Sequence, residues 1–179
     1  MESQLRLRSL AVGDEPQARL AHQELMQDGF EFLLDLAQGE AWPVYLDRLE
    51  SLRLGVDLPE GRVPATFLAA EVEGQVVGRV SIRHELNAYL AEVGGHIGYG
   101  VRPGFRRRGY ATEMLRQALA VARRAGVQRV LMTCHANNVG SAMAIENRGG
   151  LLERIVSCHD GSASRRRYWI EAGACPASA

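Results

Sequence analysis

Val101-Arg102-Pro103-Gly104-Phe105-Arg106-Arg107-Arg108-Gly109-Tyr110-Ala111-Thr112 joins an apolar, glycine-containing stretch to the most regular helical pattern in the chain. Ala111, Leu115, Ala118, Leu119 and Ala122 recur at helical spacing and predict one apolar stripe. Arg123, Arg124 and Gly126 close that helix, with cations at the negative end of its dipole and Gly as terminator. Gly109 and Ala111, two residues apart at the helix start, let successive backbone N–H groups face one concavity. Such a turn, at the positive end of a helix, is a pyrophosphate site. Arg106, Arg107 and Arg108 add charge with planar donor forks that match phosphate oxygens. Two blander readings remain open: a helix start with ordinary exposed arginines, and a basic patch.

Upstream, Gly94–Val101 reads as a strand whose glycines at 94, 95, 98 and 100 mark a bulge or a closely approached backbone. Before it, Phe67–Val72 and Val76–His84 form a hairpin around Glu73-Gly74-Gln75. Leu5 and Leu7 alternate with Arg6 and Arg8 in a short first strand. Helices are predicted over 15–26, from Leu20, Ala21 and Leu25, and over 42–54, with Pro43 in the first turn. Downstream come a buried strand around Val130-Leu131-Met132, a helix from about 140 to 148, and a closing hairpin of 151–158 and 166–170 around Asp160-Gly161. The strands at 94–101 and 129–135, joined through one helix, are expected to be parallel neighbours by a right-handed crossover. This order predicts the α/β (α+β) class. One domain is expected over 1–172, with a disordered tail at 173–179.

All 21 basic residues among the 179 are Arg. Without Lys, a Walker-type phosphate loop and Schiff-base chemistry are excluded. Residues 1–100 hold 8 Arg against 16 Asp and Glu, and residues 101–179 hold 13 against 5. That asymmetry reads either as solvated surface or as an anion site in the second half and a cation site in the first. No stacking aromatics interleave Arg165-Arg166-Arg167, so no nucleic-acid partner is expected. The five His and three Cys (Cys134, Cys158, Cys175) show no metal-ligand spacing. No metal is expected. With no span-length apolar run and no export-like start, the expectation is a cytoplasmic protein with reduced thiols and no membrane partner.

Arg106-x-x-Gly109-x-Ala111 resembles the (Arg/Gln)-x-x-Gly-x-(Gly/Ala) pyrophosphate motif of the GNAT superfamily of N-acetyltransferases. Asn138-x-x-Ser141 lies where that superfamily has an Asn-x-x-(Ala/Ser) helix start, and Glu146-Asn147-Arg148-Gly149-Gly150 resembles its Glu-Lys-x-Gly-Phe ending. The likeness covers about residues 66–158. Gly94–Tyr99 also resembles a stand-alone bacterial group of acetyltransferases. The resemblance implies a mixed, mostly antiparallel sheet of about seven strands, helices on both faces and a splayed parallel strand pair. It implies acetyl-CoA as cosubstrate. Tyr99, Gly100 and Val101 would pair with the pantetheine arm, Arg106, Arg107, Arg108, Gly109, Tyr110, Ala111 and Thr112 would hold the pyrophosphate, and Asn138 and Ser141 would bond the pantetheine or phosphate end. The acceptor would be a small-molecule or peptide amine, and the protein a monomer or homodimer.

Two departures from the family pattern concern the protons. Where the superfamily often has a basic Glu, this chain has His96, either a base acting through water or a strand histidine satisfied by backbone. Where it often has an acidic Tyr, this chain has Ile145, which cannot protonate a thiolate. Tyr99, Cys134, His135 or water would have to substitute, and Glu85 and Glu92 are further base candidates. The expected activity is direct acetyl transfer from acetyl-CoA to a primary amine. The alternative is a catalytically silent acyl-CoA-binding sensor of the same fold.

Overall fold

The computed structural model describes residues 5–157 and 164–173. Cys158, Cys175, the Asp160-Gly161 turn and all of the expected tail except Gly173 lie outside the described residues. Among the described residues seven strands and four α-helices follow one another as β1 (Arg6–Arg8), α1 (Glu15–Met26), α2 (Trp42–Leu54), β2 (Ala65–Val72), β3 (Gln75–Arg83), β4 (Ile97–Val101), α3 (Tyr110–Arg124), β5 (Arg129–His135), α4 (Val139–Glu146), β6 (Leu151–Val156) and β7 (Arg165–Glu171). The strands form two antiparallel ladders, β1-β2-β3-β4 and β5-β7-β6.

The ladders meet between β4 and β5, where the His96 N–H donates to the Leu131 carbonyl at 2.7 Å. Both strands then run away from that joint, and their far ends, Gly100-Val101 and His135, stand on opposite sides of one cavity. This is the expected parallel pair, splayed so widely that it forms no ladder of its own. The expected strand at 94–101 is shorter, because Leu90–Gly94 is a π-helical turn. The glycines mark close approach and not a bulge, for β3 and β4 stay in register from Gly78↔Val101 to Ile82↔Ile97. A Cβ on Gly95 would stand 2.7 Å from the Leu131 carbonyl oxygen, and one on Gly100 would stand 2.5 Å from the Phe30 ring.

Helices cover both faces because the β1–β4 ladder buries apolar side chains on both, β3 supplying most of them on one side and β2 on the other. On one side Met114, Leu115, Ala118, Leu119 and Ala122 of α3 pack on Val77, Val80 and Ile82. Full burial of each large apolar side chain contributes about 1.5–3 kcal/mol. On the other, Ala18, Ala21 and Leu25 of α1 and Trp42 and Tyr45 of α2 pack with Phe32 on Phe67, Ala69 and Val76. Leu20, expected in the α1 stripe, is 47% exposed. Ala18, Ala21 and Leu25 keep the i, i+3, i+7 spacing, which turns Leu20 outward.

The charge asymmetry resolves into ion pairs. Arg102 grips Glu24 through two bonds of 2.8 Å, Arg106 reaches Asp28 at 2.5 Å, and Glu71 and Asp14 both pair with Arg8. Much of the acidic front is thus neutralised within the fold, several of its partners coming from the basic half, and less of it is left to attract a cationic ligand than composition suggested.

Candidate active site

The turn before α3 is built from two left-handed residues, Arg107 at φ 61° and Gly109 at φ 78°. They follow Arg106, which is extended at φ −69° and ψ 164°, and lead into Tyr110, the first helical residue. Gly109 is the N-cap and offers no side chain, so Tyr110, Ala111 and Thr112 begin α3 with no side-chain cap on their amides. In front of them lies a cavity of about 670 Å³, within the usual range for small-ligand sites. Its wall brings together Tyr99, Gly100, Val101, Arg106, Arg107, Gly109, Tyr110, Ala111, Thr112, His135, Asn138 and Ser141, residues far apart in sequence and singled out there.

The three arginines of the turn divide. Arg106 donates Nε to the Val101 carbonyl at 3.0 Å and is paired with Asp28. Arg108 does not line the cavity; it donates to the Gly104 carbonyl at 3.1 Å and lies 5.5 Å over the Phe105 ring. Arg107 has no ionic partner among the described residues and stands at the cavity.

On the α4 side, Asn138 Oδ1 accepts the Ser141 N–H at 3.0 Å and caps the helix. The Ser141 hydroxyl lies 2.9 Å from the Tyr99 phenol. Burial raises the Tyr99 pKa above its usual value near 10, against the lowering by Ser141, so the phenol keeps its proton through the neutral range. Cys134 is buried beside this pair and its thiol is likewise pushed up by burial. His135 is exposed on the cavity wall.

His96 is placed elsewhere. It is 8% exposed at the joint of β4 and β5, and its Nδ1 accepts the Leu131 N–H at 2.9 Å. The neutral ring then carries its proton on Nε2 and has no free basic lone pair. Burial, with a contribution from Arg83, lowers its pKa, favouring this neutral form. The geometry favours the strand-histidine reading over the base. Changing His96→Ala is expected to leave the buried Leu131 amide unpartnered and to cost about 1–3 kcal/mol, read as a lowered urea midpoint. The wild type is also expected to lose stability as pH falls below about 6.5, where the unfolded histidine binds a proton that the folded one resists. The variant should lack that component.

Ile145 is fully buried in the α3 core and is not on the cavity wall. Glu85 and Glu92 are not on the cavity wall. Residues that the sequence reading missed include Phe105, several of α4 (Gly140, Met143, Ala144) with Asn147 after it, and Leu25, Asp28, Gly29 and Phe30, the last four closing the cavity from the end of α1. A signal for Phe30 was Gly100, whose missing side chain makes room for it. A second hollow of about 520 Å³, ringed by Arg116, Arg123, Arg124 and Arg148 outside α3, shares no residue with the turn. Among the described residues no group of three or more His, Cys, Asp or Glu could hold a metal ion, and no helix is long and apolar enough to cross a membrane.

A splayed strand pair facing an N–H-rich helix start is the arrangement that the motif order implied, and a family model described as the acetyltransferase (GNAT) family matches residues 23–149. The chain belongs to the GNAT family. Among solved structures, the GNAT chain is similar to Mycobacterium smegmatis RimJ in complex with CoA-disulfide, at TM-score 0.70 and 18% identity over 97% of this chain and 85% of that one. It is similar to the microcin C7 self-immunity acetyltransferase MccE, crystallised with acetyl-CoA and AMP, at TM-score 0.65 and 17% identity over 93% and 92%. A spermidine N-acetyltransferase SpeG chimera from Vibrio cholerae and hSSAT gives TM-score 0.58 and 20% identity over 95% and 96%. At such identities the likeness is one of fold. No curated protein matches the sequence. As a GNAT member the chain keeps the glycine turn and the splayed strands, and departs from the family pattern at Ile145 and His96.

Proposed function

We propose that this protein transfers an acetyl group from acetyl-CoA to a primary amine by direct attack. The observation that carries the reading is the single cavity that joins the open end of β4 and β5 to the uncapped start of α3. The amides of Gly109–Thr112, with Arg107, hold the pyrophosphate; Arg106 braces the turn by its bond to the Val101 carbonyl. The β4 backbone at Tyr99–Val101 pairs with the pantetheine arm, which takes the place that a further strand would have. Asn138 and Ser141 border the same arm. Tyr99, protonated and held by Ser141, donates to the departing thiolate. His135, on the cavity wall, and water remain to take the amine proton. Cys134, buried and unpaired, fits a reducing, cytoplasmic setting.

The rival reading, a silent acyl-CoA sensor, draws on Ile145, which leaves the usual acid position without a proton donor. A thermal-shift titration with acetyl-CoA beside adenosine and unrelated nucleotides tests the cosubstrate. At about 100 times its dissociation constant a ligand adds about 2.7 kcal/mol, a rise of several degrees at this size. A saturable rise with acetyl-CoA alone is expected; none would remove the site assignment. Release of free CoA thiol across a panel of primary amines then separates enzyme from sensor. The chain has no Lys, so acetylation of its own lysines cannot add to the signal.

A further inference from the structure

Arg79, Ser81 and Arg83 alternate along β3 and therefore share one face of the sheet, the face covered by α1 and α2. Their neighbours on β4 are glycines: Arg79 pairs with Gly100 and Ser81 with Gly98. Over Gly100 the space is filled by Phe30, with the Arg79 guanidinium 4.3 Å from its ring. Over Gly98 no ring stands. The atoms nearest to where its Cβ would be are Nη1 and Nη2 of Arg83, at 3.5 and 3.7 Å.

Arg83 is pinned there by one nitrogen. Its Nη1 donates to the Gly95 carbonyl at 3.2 Å and the Gly94 carbonyl at 3.4 Å, at the end of the π-helical turn. Nε and Nη2, the other edge of the fork, have no partner among the described residues. That edge is not sealed either, since among the described residues the fully buried unpartnered side-chain atoms are Tyr45 Oη and Arg79 Nε. Elsewhere in this chain the same edge holds a carboxylate: Arg48 grips Glu40, Arg53 grips Glu50 and Arg102 grips Glu24, each through Nε and Nη2. Arg83 offers that edge with no acid to meet it. The cations near it, Arg62 and Arg79, repel it, and of the two only Arg62 has its own acid, Asp35. His96 is neutral there, and among the described residues the Tyr89 phenol is the one acidic group acting on it. Burial, then Arg62, lowers the Arg83 pKa, which is the response of a cation lacking its counter-ion.

The edge is close to the proposed site of transfer. Gly98 precedes the cavity-lining Gly100 by two residues, a rise of roughly 6.6 Å along a strand. An amine nitrogen is about 2.5 Å from the carboxylate carbon of the same amino acid, the C–O bond adds about 1.2 Å and a charge-assisted hydrogen bond about 2.8 Å, which together match that rise. A carboxylate on Arg83 would thus leave an α-amine within reach of the cavity end. We propose that the acceptor is a small amine bearing a carboxylate, of the amino-acid class, and that its carboxylate docks on the Nε/Nη2 edge of Arg83 above Gly98. This rests on the acetyl-transfer reading and narrows its acceptor to an anionic amine in place of a polycation.

The test compares free L-amino acids, the same compounds as C-terminal amides, and an aliphatic diamine, with wild-type protein and acetyl-CoA. The free acids are expected to be favoured in kcat/KM by roughly tenfold to a hundredfold, the range for a charge-assisted hydrogen-bonded pair. Arg83→Gln should bring the acid-to-amide ratio near one, and Arg83→Lys, which keeps charge without the fork, should retain part of it. Amides or the diamine matching the acids, or a ratio that survives Arg83→Gln, would overturn the proposal while leaving acetyl transfer standing. If acetyl-CoA binds but no amine turns over, the transfer reading fails and an acetate titration of ¹⁵N-arginine-labelled protein decides the site alone. A saturable shift of the Arg83 Nε–H signal, assigned by its loss in Arg83→Lys, supports the carboxylate site; no shift overturns it.

Discussion

Acetyl-CoA affinity is expected to fall at least roughly tenfold when Gly109 is replaced by Val. Open space surrounds Gly109, with nothing within 4 Å of where a Cβ would stand, so crowding inside the free protein is not the cause. The cause is the backbone, held in the left-handed region at φ 78°. An L-residue in that region costs about 1–2 kcal/mol, and a β-branched one is a genuine outlier there. Relief comes by starting α3 later or rotating the peptide before Tyr110, and both moves dismantle the row of N–H groups at the cavity. Strain that is kept appears as lost stability, and strain that is relieved appears as lost affinity. Calorimetric titration of the folded variant at low temperature separates the two. Affinity equal to the wild type's would mean that Gly109 does not shape the cosubstrate site. Gly109→Ala should show the same direction with a smaller loss.

The Gly109 turn was legible in the sequence because its signal is local: a glycine at an N-cap, an amphipathic stripe after it, an apolar strand before it. The helices 15–26 and 42–54 were legible from local signals too, the spacing of Ala21 and Leu25 in one and Pro43 in the first turn of the other. The splay of β4 from β5 was expected only through family likeness. What was not legible is tertiary. His96 looked like a base because its sequence neighbours say nothing of Leu131, 35 positions away, whose amide takes its Nδ1. Arg106 looked like a free phosphate ligand because Asp28 is 78 positions from it. Phe30 and Asp28 carry no motif, and only the packing of α1 on the sheet brings them to the cavity. Arg83 sits in a strand pattern that reads simply as surface alternation, and its unmatched edge is visible only once the carboxylates of the fold have been assigned to other arginines.

Replacing Tyr99 by Phe is expected to lower kcat by roughly a hundredfold or more, within the range for a positioned general acid, while acetyl-CoA affinity changes less than about threefold. Phe keeps the ring that packs against the α3 core and removes only the hydroxyl, so the fold and the β4 backbone proposed to meet the pantetheine arm are preserved. What goes is the hydroxyl, its oxygen 2.9 Å from Ser141 Oγ, with its proton and that hydrogen bond. Ser141→Ala separates the two losses: it leaves the phenol in place but unheld, and should cost much less than Tyr99→Phe. The pH profile supplies a further check. Because burial raises the Tyr99 pKa, the acid form persists through neutral pH, and loss of activity from its deprotonation belongs above about pH 10. Any rise in rate with pH between about 6 and 9 would therefore report the amine or another base, and should survive in Tyr99→Phe on a lowered curve. A variant with wild-type kcat would remove Tyr99 as the acid and leave water to protonate the thiolate, a role that Ile145 cannot fill from the core.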